Sequence, residues 1–192
     1  MAAAETQLDE SKLVAELQDP KTARAAFDRL MRAYGEPIYW QIRKMVINHD
    51  DANDLLQNTF LKAWNNLSNF RGDAKLSTWL FKIAVNESIN FLNKERKSQV
   101  AALSDNDEGI DNFLLNNLQA DEYFDGDELK AELQKAIAML PEKQRIVFNM
   151  RYFDDMKYEQ ISEILGTSVG ALKANYHHAV KKIEEYISKI EN

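Results

Sequence analysis

The chain has 192 residues, 45% of them hydrophobic, which is enough to bury one large core or two small ones. With 6 Gly, 3 Pro and no Cys, the composition favours helices and excludes disulfides, zinc fingers and thiol nucleophiles. No apolar run reaches the length of a membrane span, and the N-terminus lacks the pattern of a signal peptide. We therefore expect a cytoplasmic protein that makes no direct membrane contact.

Charge is distributed unevenly along the chain. The total of −7 at pH 7 disfavours nucleic-acid binding when it is taken alone. Residues 20–97, however, carry 13 basic and 8 acidic side chains, a net +5, whereas residues 98–131 carry one basic and 9 acidic side chains, a net −8. Residues 132–192 carry 9 of each. A basic segment beside an acidic one is compatible with DNA binding.

The first 50 residues are predicted to form three helices. One ends before Pro20, and the next covers residues 22–34 and is ended by Gly35. Pro37 suits the first turn of the third helix, residues 38–48, because proline is tolerated there. The aromatic and aliphatic side chains of this third helix predict a core element.

Residues 51–67 are predicted to form an amphipathic helix. Its apolar stripe includes Leu55, Phe60 and Trp64, at helical spacing. The opposite face is polar and presents Asp54, Gln57, Asn58 and Lys62. Read from the residues alone, this face is either a solvated surface or an interface with a partner.

A loop at residues 69–75 and a long helix follow. Ser77 and Thr78 are predicted to cap this helix, which runs to Arg96. Asn86 and Asn90 stand four residues apart and therefore share one face. Exposed amides followed by a basic end fit contacts to DNA bases and phosphates, respectively. The alternative for the basic end is a charge that stabilises the C-terminus of its own helix.

Residues 98–127 lose clear periodicity and gain acidic side chains, which predicts a linker between two domains. A connection of this length without regular structure is unusual inside one compact domain. Its apolar residues Phe113, Leu114, Leu115 and Leu118 allow one docking turn.

The C-terminal part is predicted to contain about four short helices. The last two lie in residues 158–182, where Gly166 breaks the first and Ser168 caps the second. This pattern predicts a helix-turn-helix, whose second helix can enter a DNA major groove, or else an ordinary helical hairpin. Hydrogen-bond donors and cations project outward from the second helix at Lys173, Asn175, His177, His178, Lys181 and Lys182.

Taken together, these stretches resemble the extracytoplasmic-function group of bacterial RNA polymerase sigma factors. DANDLLQNTFLKAW is similar to the polymerase-docking helix of the family, and FRGDAKLSTWLFKIAVNESINFLNKERK is similar to its strand-opening loop and promoter-reading helix. LPEKQRIVFNMRYF and YEQISEILGTSVGALKANYHHAVKKI resemble its C-terminal domain. Three such stretches in the family's order make the resemblance specific.

The resemblance implies an all-α protein of two small helical domains joined by an acidic linker. The first domain, residues 1–97, would be a helical bundle of the sigma region-2 type, and residues 98–127 would form the linker. Residues 128–192 would be a helix-turn-helix domain of the sigma region-4 type. Such a protein directs core polymerase to promoters and assists strand opening without catalysing a reaction.

The resemblance also implies roles for individual residues. Docking to the β′ clamp helices of polymerase would use Asp51, Asp54, Leu55, Gln57 and Asn58. Promoter contacts in the first domain, including a pocket for a flipped base at residues 69–76, would use Arg71, Lys75, Asn86, Asn90, Lys94, Arg96 and Lys97. Contacts to the −35 element would use Lys173, Asn175, His177 and His178, with phosphate contacts from Lys181 and Lys182.

The implied partners are core RNA polymerase, at its β′ clamp helices and β flap, promoter DNA, and an anti-sigma factor, which in the family is often membrane-anchored. The acidic linker would lie in a basic channel of polymerase, or else serve as a plain tether. No cofactor or metal is expected, because adjacent histidines such as His177 and His178 point about 100° apart on a helix. The alternative function is a conventional dimeric helix-turn-helix regulator.

Overall fold

The computed structural model describes residues 10–70, 72, 74–102, 114–115, 117–118 and 128–190. Every regular element in this part of the chain is helical. The elements are α1 (Glu10–Gln18), α2 (Ala23–Val46), α3 (His49–Asn65), a 3-10 turn (Leu67–Asn69), α4 (Leu76–Ala102), α5 (Glu128–Ala138), α6 (Glu142–Tyr152), α7 (Tyr158–Leu165) and α8 (Val169–Ile190). The prediction of an all-α protein is confirmed.

Helix α2 is continuous, and the predicted break at Gly35 is wrong. Gly35 and Pro37 both lie inside the helix. Proline has no N–H to donate to the carbonyl four residues earlier, which here belongs to Ala33. Ala33 and Pro37 are both exposed, so this part of the helix faces solvent. Leu30 and Ile38, on either side of the proline, are both 0% exposed. Burial of one apolar face along the whole helix therefore outweighs the local helix-breaking tendency.

Helix α3 packs against α2 and α4 and completes the N-terminal bundle. It begins at His49, two residues before the predicted start, because the Asn48 side chain accepts a hydrogen bond from the Asp51 amide at 3.0 Å. Asn48 is thus the N-cap, and the acidic first turn favours the positive end of the helix dipole. At the other end, Asn66 closes the helix.

The N-terminus of α4 is capped from a distant part of the chain. The Glu10 carboxylate of α1 accepts hydrogen bonds from the amides of Leu76 and Ser77. The helix thus begins before the predicted caps Ser77 and Thr78, and Thr78 is itself buried. At its other end α4 continues to Ala102, five residues past position 97.

Part of the predicted linker docks on the N-terminal bundle. Leu114 is 0% exposed and Leu118 is 6% exposed, and both join the hydrophobic core. The Asn117 amide donates to the carbonyl of Val46 at 3.4 Å. The predicted docking turn is present at these positions, whereas Phe113 lies outside the described residues.

Helices α5 to α8 form the C-terminal part. The buried Arg145 side chain donates to the carbonyls of Ala138 and Leu140, at 3.3 and 3.2 Å, and so fixes the turn between α5 and α6. Gly166 ends α7 with φ of +63°, a left-handed conformation suited to glycine. Ser168 accepts a hydrogen bond from the Ala171 amide at 3.4 Å at the start of α8. The predicted helix-turn-helix is therefore present as α7 and α8.

The N-terminal bundle and the C-terminal part share one hydrophobic cluster. Helix α4 packs against α7, and α2 packs against α6. Met150 and Ile161, each 0% exposed, join the cluster from the C-terminal part. Lys44 and Asp154 form an ion pair across this contact. The backbone carbonyl of Lys44 also accepts a hydrogen bond from Asn149 Nδ2 at 3.1 Å.

Candidate polymerase and nucleic-acid interfaces

The polar face of α3 is directed to solvent. Asp54, Gln57 and Asn58 are exposed, and Asp51 is half-buried. Leu55, the fifth predicted docking residue, is instead 6% exposed and lies in the core. It belongs to the apolar stripe, so its side chain supports this face from within and is not available to a partner.

The negative charge of this face is reinforced from a neighbouring helix. Burial raises the pKa of Asp51, and the nearby carboxylates of Glu95, Asp54 and Asp50 raise it further. Glu95 belongs to α4, so two helices contribute to the acidic surface. A positively charged partner would relieve this repulsion.

Leu61 and Trp64 are two surface residues of α3 that the sequence reasoning did not assign to the interface. Leu61 is 61% exposed and lies three residues after Asn58 and four after Gln57, on the same side of the helix. Trp64 is 42% exposed and packs edge-on against Phe27, with ring centroids 5.0 Å apart. The sequence pattern does indicate that Leu61 is exposed, because this residue falls outside the apolar stripe of α3.

The predicted promoter-reading residues of α4 divide into two groups. Asn86, Asn90, Lys94 and Lys97 are exposed, and their spacing places them along one side of the helix. Arg96 lies off this side, where its guanidinium contacts the Glu142 carboxylate of α6 at 3.2 Å. The structure thus brings four of these residues together and places the fifth against the C-terminal part.

The loop before α4 borders two cavities. A cavity of about 300 Å³ is lined by Asn69, Trp79 and Asn86, with the Lys62–Glu87 ion pair at its edge. A larger cavity, of about 820 Å³, is lined by residues of α1, by Gly72 and Lys75 of the loop, and by residues at the start of α7. Lys75 is exposed, and Arg71 lies outside the described residues.

The smaller cavity combines an aromatic ring with side-chain amides. Trp79 packs against Phe70, with ring centroids 5.1 Å apart. The indole offers a surface for stacking, and the amides of Asn69 and Asn86 can donate and accept hydrogen bonds. This combination is suited to holding an unstacked base.

Three exposed basic or hydrogen-bonding side chains of α8 lie along one side of the helix. Lys173, His177 and Lys181 follow each other at four-residue intervals and are all exposed. Lys173 lies 5.8 Å from the ring centroid of Tyr158 in α7, within the range of a cation–π contact. His178 and Lys182 are also exposed on the adjoining side, whereas Asn175 is half-buried.

The adjacent histidines of α8 diverge. The ring centroids of His177 and His178 are 6.0 Å apart, and the rings are tilted by 54°. Among the described residues, no group of three or more His, Cys, Asp or Glu side chains could hold a metal ion. The same part of the chain contains no helix that is long and apolar enough to cross a bilayer.

Two family models match the chain, in the order that the sequence motifs predicted. The model described as Sigma-70 region 2 matches residues 30–98, and the model described as Sigma-70, region 4 matches residues 130–183. Together they cover more than half of the chain. Region 2 includes α3 and most of α4, and region 4 includes the helix-turn-helix.

Individual proteins agree with these matches. The RNA polymerase sigma factor YlaC of Bacillus subtilis is 30% identical over 86% of this chain and 94% of its own length. The ECF RNA polymerase sigma factor SigW of the same organism is 29% identical over 88% and 93%.

A solved structure has the same fold. It is the sigma factor RpoE in complex with the anti-sigma factor NepR from Bartonella quintana, with a TM-score of 0.62 at 21% identity, and the match covers 84% of this chain and 96% of that one. With two family models and full-length relatives in agreement, the chain belongs to the sigma-70 family, as an RNA polymerase sigma factor of the extracytoplasmic-function type.

Proposed function

We propose that α3 docks the chain on the β′ clamp helices of core RNA polymerase. The observation that carries this proposal is the exposed face of Asp54, Gln57 and Asn58 next to Leu61, on a helix anchored by buried Leu55. An apolar side chain within a polar, solvent-accessible rim is a common arrangement at protein interfaces. Its negative charge complements a basic coiled-coil surface.

A binding experiment with purified core polymerase tests the docking face. Asp54→Arg reverses one charge at an exposed position, so the fold should persist while the affinity for polymerase falls by about tenfold or more. Glu36→Arg, which makes the same charge change at an exposed position of α2 to which no partner is assigned, serves as the matched control. Equal affinities of wild type and Asp54→Arg would contradict the docking role.

The N-terminal bundle then reads and opens the −10 region. Asn86 and Asn90 contact base edges, and Lys94 and Lys97 contact phosphates on the same side of α4. An unpaired base enters the cavity lined by Asn69, Trp79 and Asn86. Flipping costs a few kcal/mol of stacking, which contacts with the extruded base offset. Lys75, Arg71 and Arg96 are further candidates for phosphate contacts.

The C-terminal helix-turn-helix reads the −35 element. Lys173 and His177 lie near the N-terminal end of α8, the part that reaches base edges in this motif, together with His178 and Asn175. Lys181 and Lys182, further along the helix, contact phosphates. The β flap of polymerase is the partner of this part of the chain.

These roles require no catalytic group and no cofactor, so the chain acts by binding alone. Its place of action in this proposal is the cytoplasm. In the polymerase complex the acidic segment 98–127 lies in a basic channel until the transcript displaces it, which requires Leu114 and Leu118 to leave the N-terminal bundle. An anti-sigma factor is the expected inhibitor, since the structurally similar RpoE of Bartonella quintana was solved with NepR. The division into domains at 1–97, 98–127 and 128–192 belongs to the same proposal.

A transcription assay tests the function as a whole. Core polymerase with the purified chain should give transcripts that start at defined promoters, and core polymerase alone should not. Sequencing the DNA bound by the reconstituted enzyme then identifies the two elements. Tight binding of the free chain to a palindromic site as a dimer, without any effect of polymerase, would favour the conventional regulator instead.

A further inference from the structure

Helix α1 holds both ends of the loop that precedes α4. At the end of α1, Gln18 Nε2 donates a hydrogen bond to the carbonyl of Phe70 at 3.3 Å. At its start, Glu10 Oε1 accepts from the amides of Leu76 and Ser77, the latter at 3.3 Å. The loop between these anchor points contains Gly72, whose φ is +78°.

Helix α1 is itself firmly fixed. Leu13 and Leu17 are 2% and 4% exposed, and the helix packs on α2 and on the 3-10 turn. Its nine residues span roughly 12 Å at 1.5 Å per residue. The Glu10 carboxylate also lies close to Tyr34 of α2, whose pKa is raised by burial and then by this charge. The two polar ends of α1 thus form a brace that joins Phe70, before the loop, to Leu76 and Ser77, after it.

The brace reaches the candidate base cavity through the residues next to its lining, above all Phe70, which contacts the lining residue Trp79. Phe70, held through its carbonyl by Gln18, packs its ring against Trp79. The α4 amides that Glu10 accepts from belong to the first turn of the helix, which leads into Trp79; Asn86 follows about two turns after Trp79. Without Glu10, these first amides of α4 would lack this acceptor, and the start of the helix would fray more readily.

We propose that α1 is a positioning helix for strand opening. Glu10 and Gln18 hold Phe70 and the start of α4 in the arrangement that receives the unpaired base, before DNA arrives. Preorganisation of this kind improves capture because less ordering remains to be done on binding. The inference rests on the proposed function of the cavity, and it extends that function to a helix that precedes residues 30–98, the segment that the region 2 model matches.

The test compares duplex with pre-opened promoters. Glu10→Ala, Glu10→Gln and Gln18→Ala are assembled with core polymerase and assayed on a fully paired promoter and on the same promoter with mismatched bases in the −10 region. Glu16→Ala is the matched control, because Glu16 lies on the same helix but pairs with Arg29 of α2 and not with the loop. Thermal unfolding and affinity for core polymerase are measured for every variant.

We expect Glu10→Ala to reduce the duplex-to-bubble ratio of transcription by about fivefold to tenfold, equivalent to about 1.0 to 1.4 kcal/mol. This is the range of a lost helix cap. Glu10→Gln, which keeps an acceptor oxygen, should recover part of the ratio. Gln18→Ala should lower it less, because a neutral hydrogen bond is lost in place of a charged one. Glu16→Ala should leave the ratio unchanged.

Three other outcomes would overturn the proposal, and each identifies a different step that fails. If Glu10→Ala and Gln18→Ala keep the wild-type ratio, α1 does not position the loop. If Glu10→Ala and Glu16→Ala lower transcription equally on both templates, α1 acts only through stability of the bundle. If the wild-type chain gives no promoter-dependent transcript from either template, the proposed function fails before α1 is considered.

Discussion

Individual side chains of α3 and α4 divide into exposed contact groups and buried supports. Helical periodicity predicted the exposed positions of Asp54, Gln57 and Asn86, because the opposite face of each helix is apolar. Leu61 was not assigned to the docking face from its residue type, although its position outside the apolar stripe indicates that its side chain is exposed. The Glu10 cap was also out of reach, because 66 residues separate it from the Leu76 amide.

Asn86 and Lys94, two turns apart on α4, should differ in what they contribute to promoter binding. Asn86→Ala should lose about 1–3 kcal/mol of discrimination at one base position, because a bidentate amide contact reads the base edge. Lys94→Ala should weaken binding to all promoter sequences alike and reduce the salt dependence of binding, because it removes a phosphate contact.

Measuring reconstituted enzyme on a set of single-base promoter variants, at two salt concentrations, separates these outcomes. Lys21→Ala is a suitable control, because it removes an exposed positive charge from the turn between α1 and α2, to which no promoter contact is assigned. A uniform loss for Asn86→Ala across all base changes would contradict its role as a base reader.

The helices as elements were predictable where caps and apolar stripes agreed with each other. Gly166 and Ser168 are examples, since the left-handed C-terminus and the N-cap are read directly from the residue types. Helix α2 was not, because Gly35 and Pro37 indicate a break while the buried face on either side continues. Local propensities of about 1 kcal/mol for glycine are small beside the burial of several large side chains.

Two glycine substitutions should therefore have opposite effects. Gly35→Ala should raise the free energy of unfolding by about 0.5–1 kcal/mol, since Gly35 is helical and a Cβ there meets nothing within 4 Å. Gly166→Ala should lower it by about 1 kcal/mol, because φ of +63° strains any residue with a Cβ.

Urea unfolding of both variants beside the wild type measures these differences. The two sites have equal space around them, so each serves as the control for the other. A destabilised Gly35→Ala would mean that α2 is not continuous through this position in solution.

The molecule as a whole is held together by a contact that the sequence did not reveal. The acidic composition of residues 98–127 indicated two separate domains, and periodicity cannot tell whether such domains touch. The described helices share a hydrophobic cluster, and the Lys44–Asp154 ion pair joins α2 to the turn after α6. Lys44 and Asp154 are 110 residues apart, and a single sequence does not show that two such distant charged residues form a pair.

The Lys44–Asp154 pair should make stability depend on pH. Burial raises the pKa of Asp154, against the opposing effect of its hydrogen bond and attraction to Lys44. The pKa of Asp154 in the folded protein is above the ordinary value of 3.8, so the folded state binds this proton more tightly than the unfolded state does. The stabilisation by the bound proton is fully present below pH 3.8 and is lost as the pH rises through the folded pKa. Asp154→Asn should therefore gain stability relative to wild type over this interval.

Lys44→Ala should have the opposite effect at neutral pH, with a loss of about 1–3 kcal/mol, less than for a fully buried pair. Stability falls because Lys44→Ala leaves the half-buried Asp154 carboxylate without its cationic partner. Urea unfolding of the wild type and both variants from about pH 4 to pH 8 provides the measurement. Parallel stability profiles for wild type and Asp154→Asn would show that the carboxylate does not titrate in the contact.

The cluster shared by the two halves also sets a thermodynamic cost on regulation. A partner that binds only the separated halves has its apparent affinity reduced by the fraction of molecules that are already open. With an open fraction of about 1%, that partner binds roughly 100-fold more weakly than its contacts alone allow. A partner that binds both arrangements equally carries no such reduction. Substitutions inside this contact would therefore change the apparent affinity of a partner that binds only the open arrangement, and leave that of a partner that binds both arrangements unchanged.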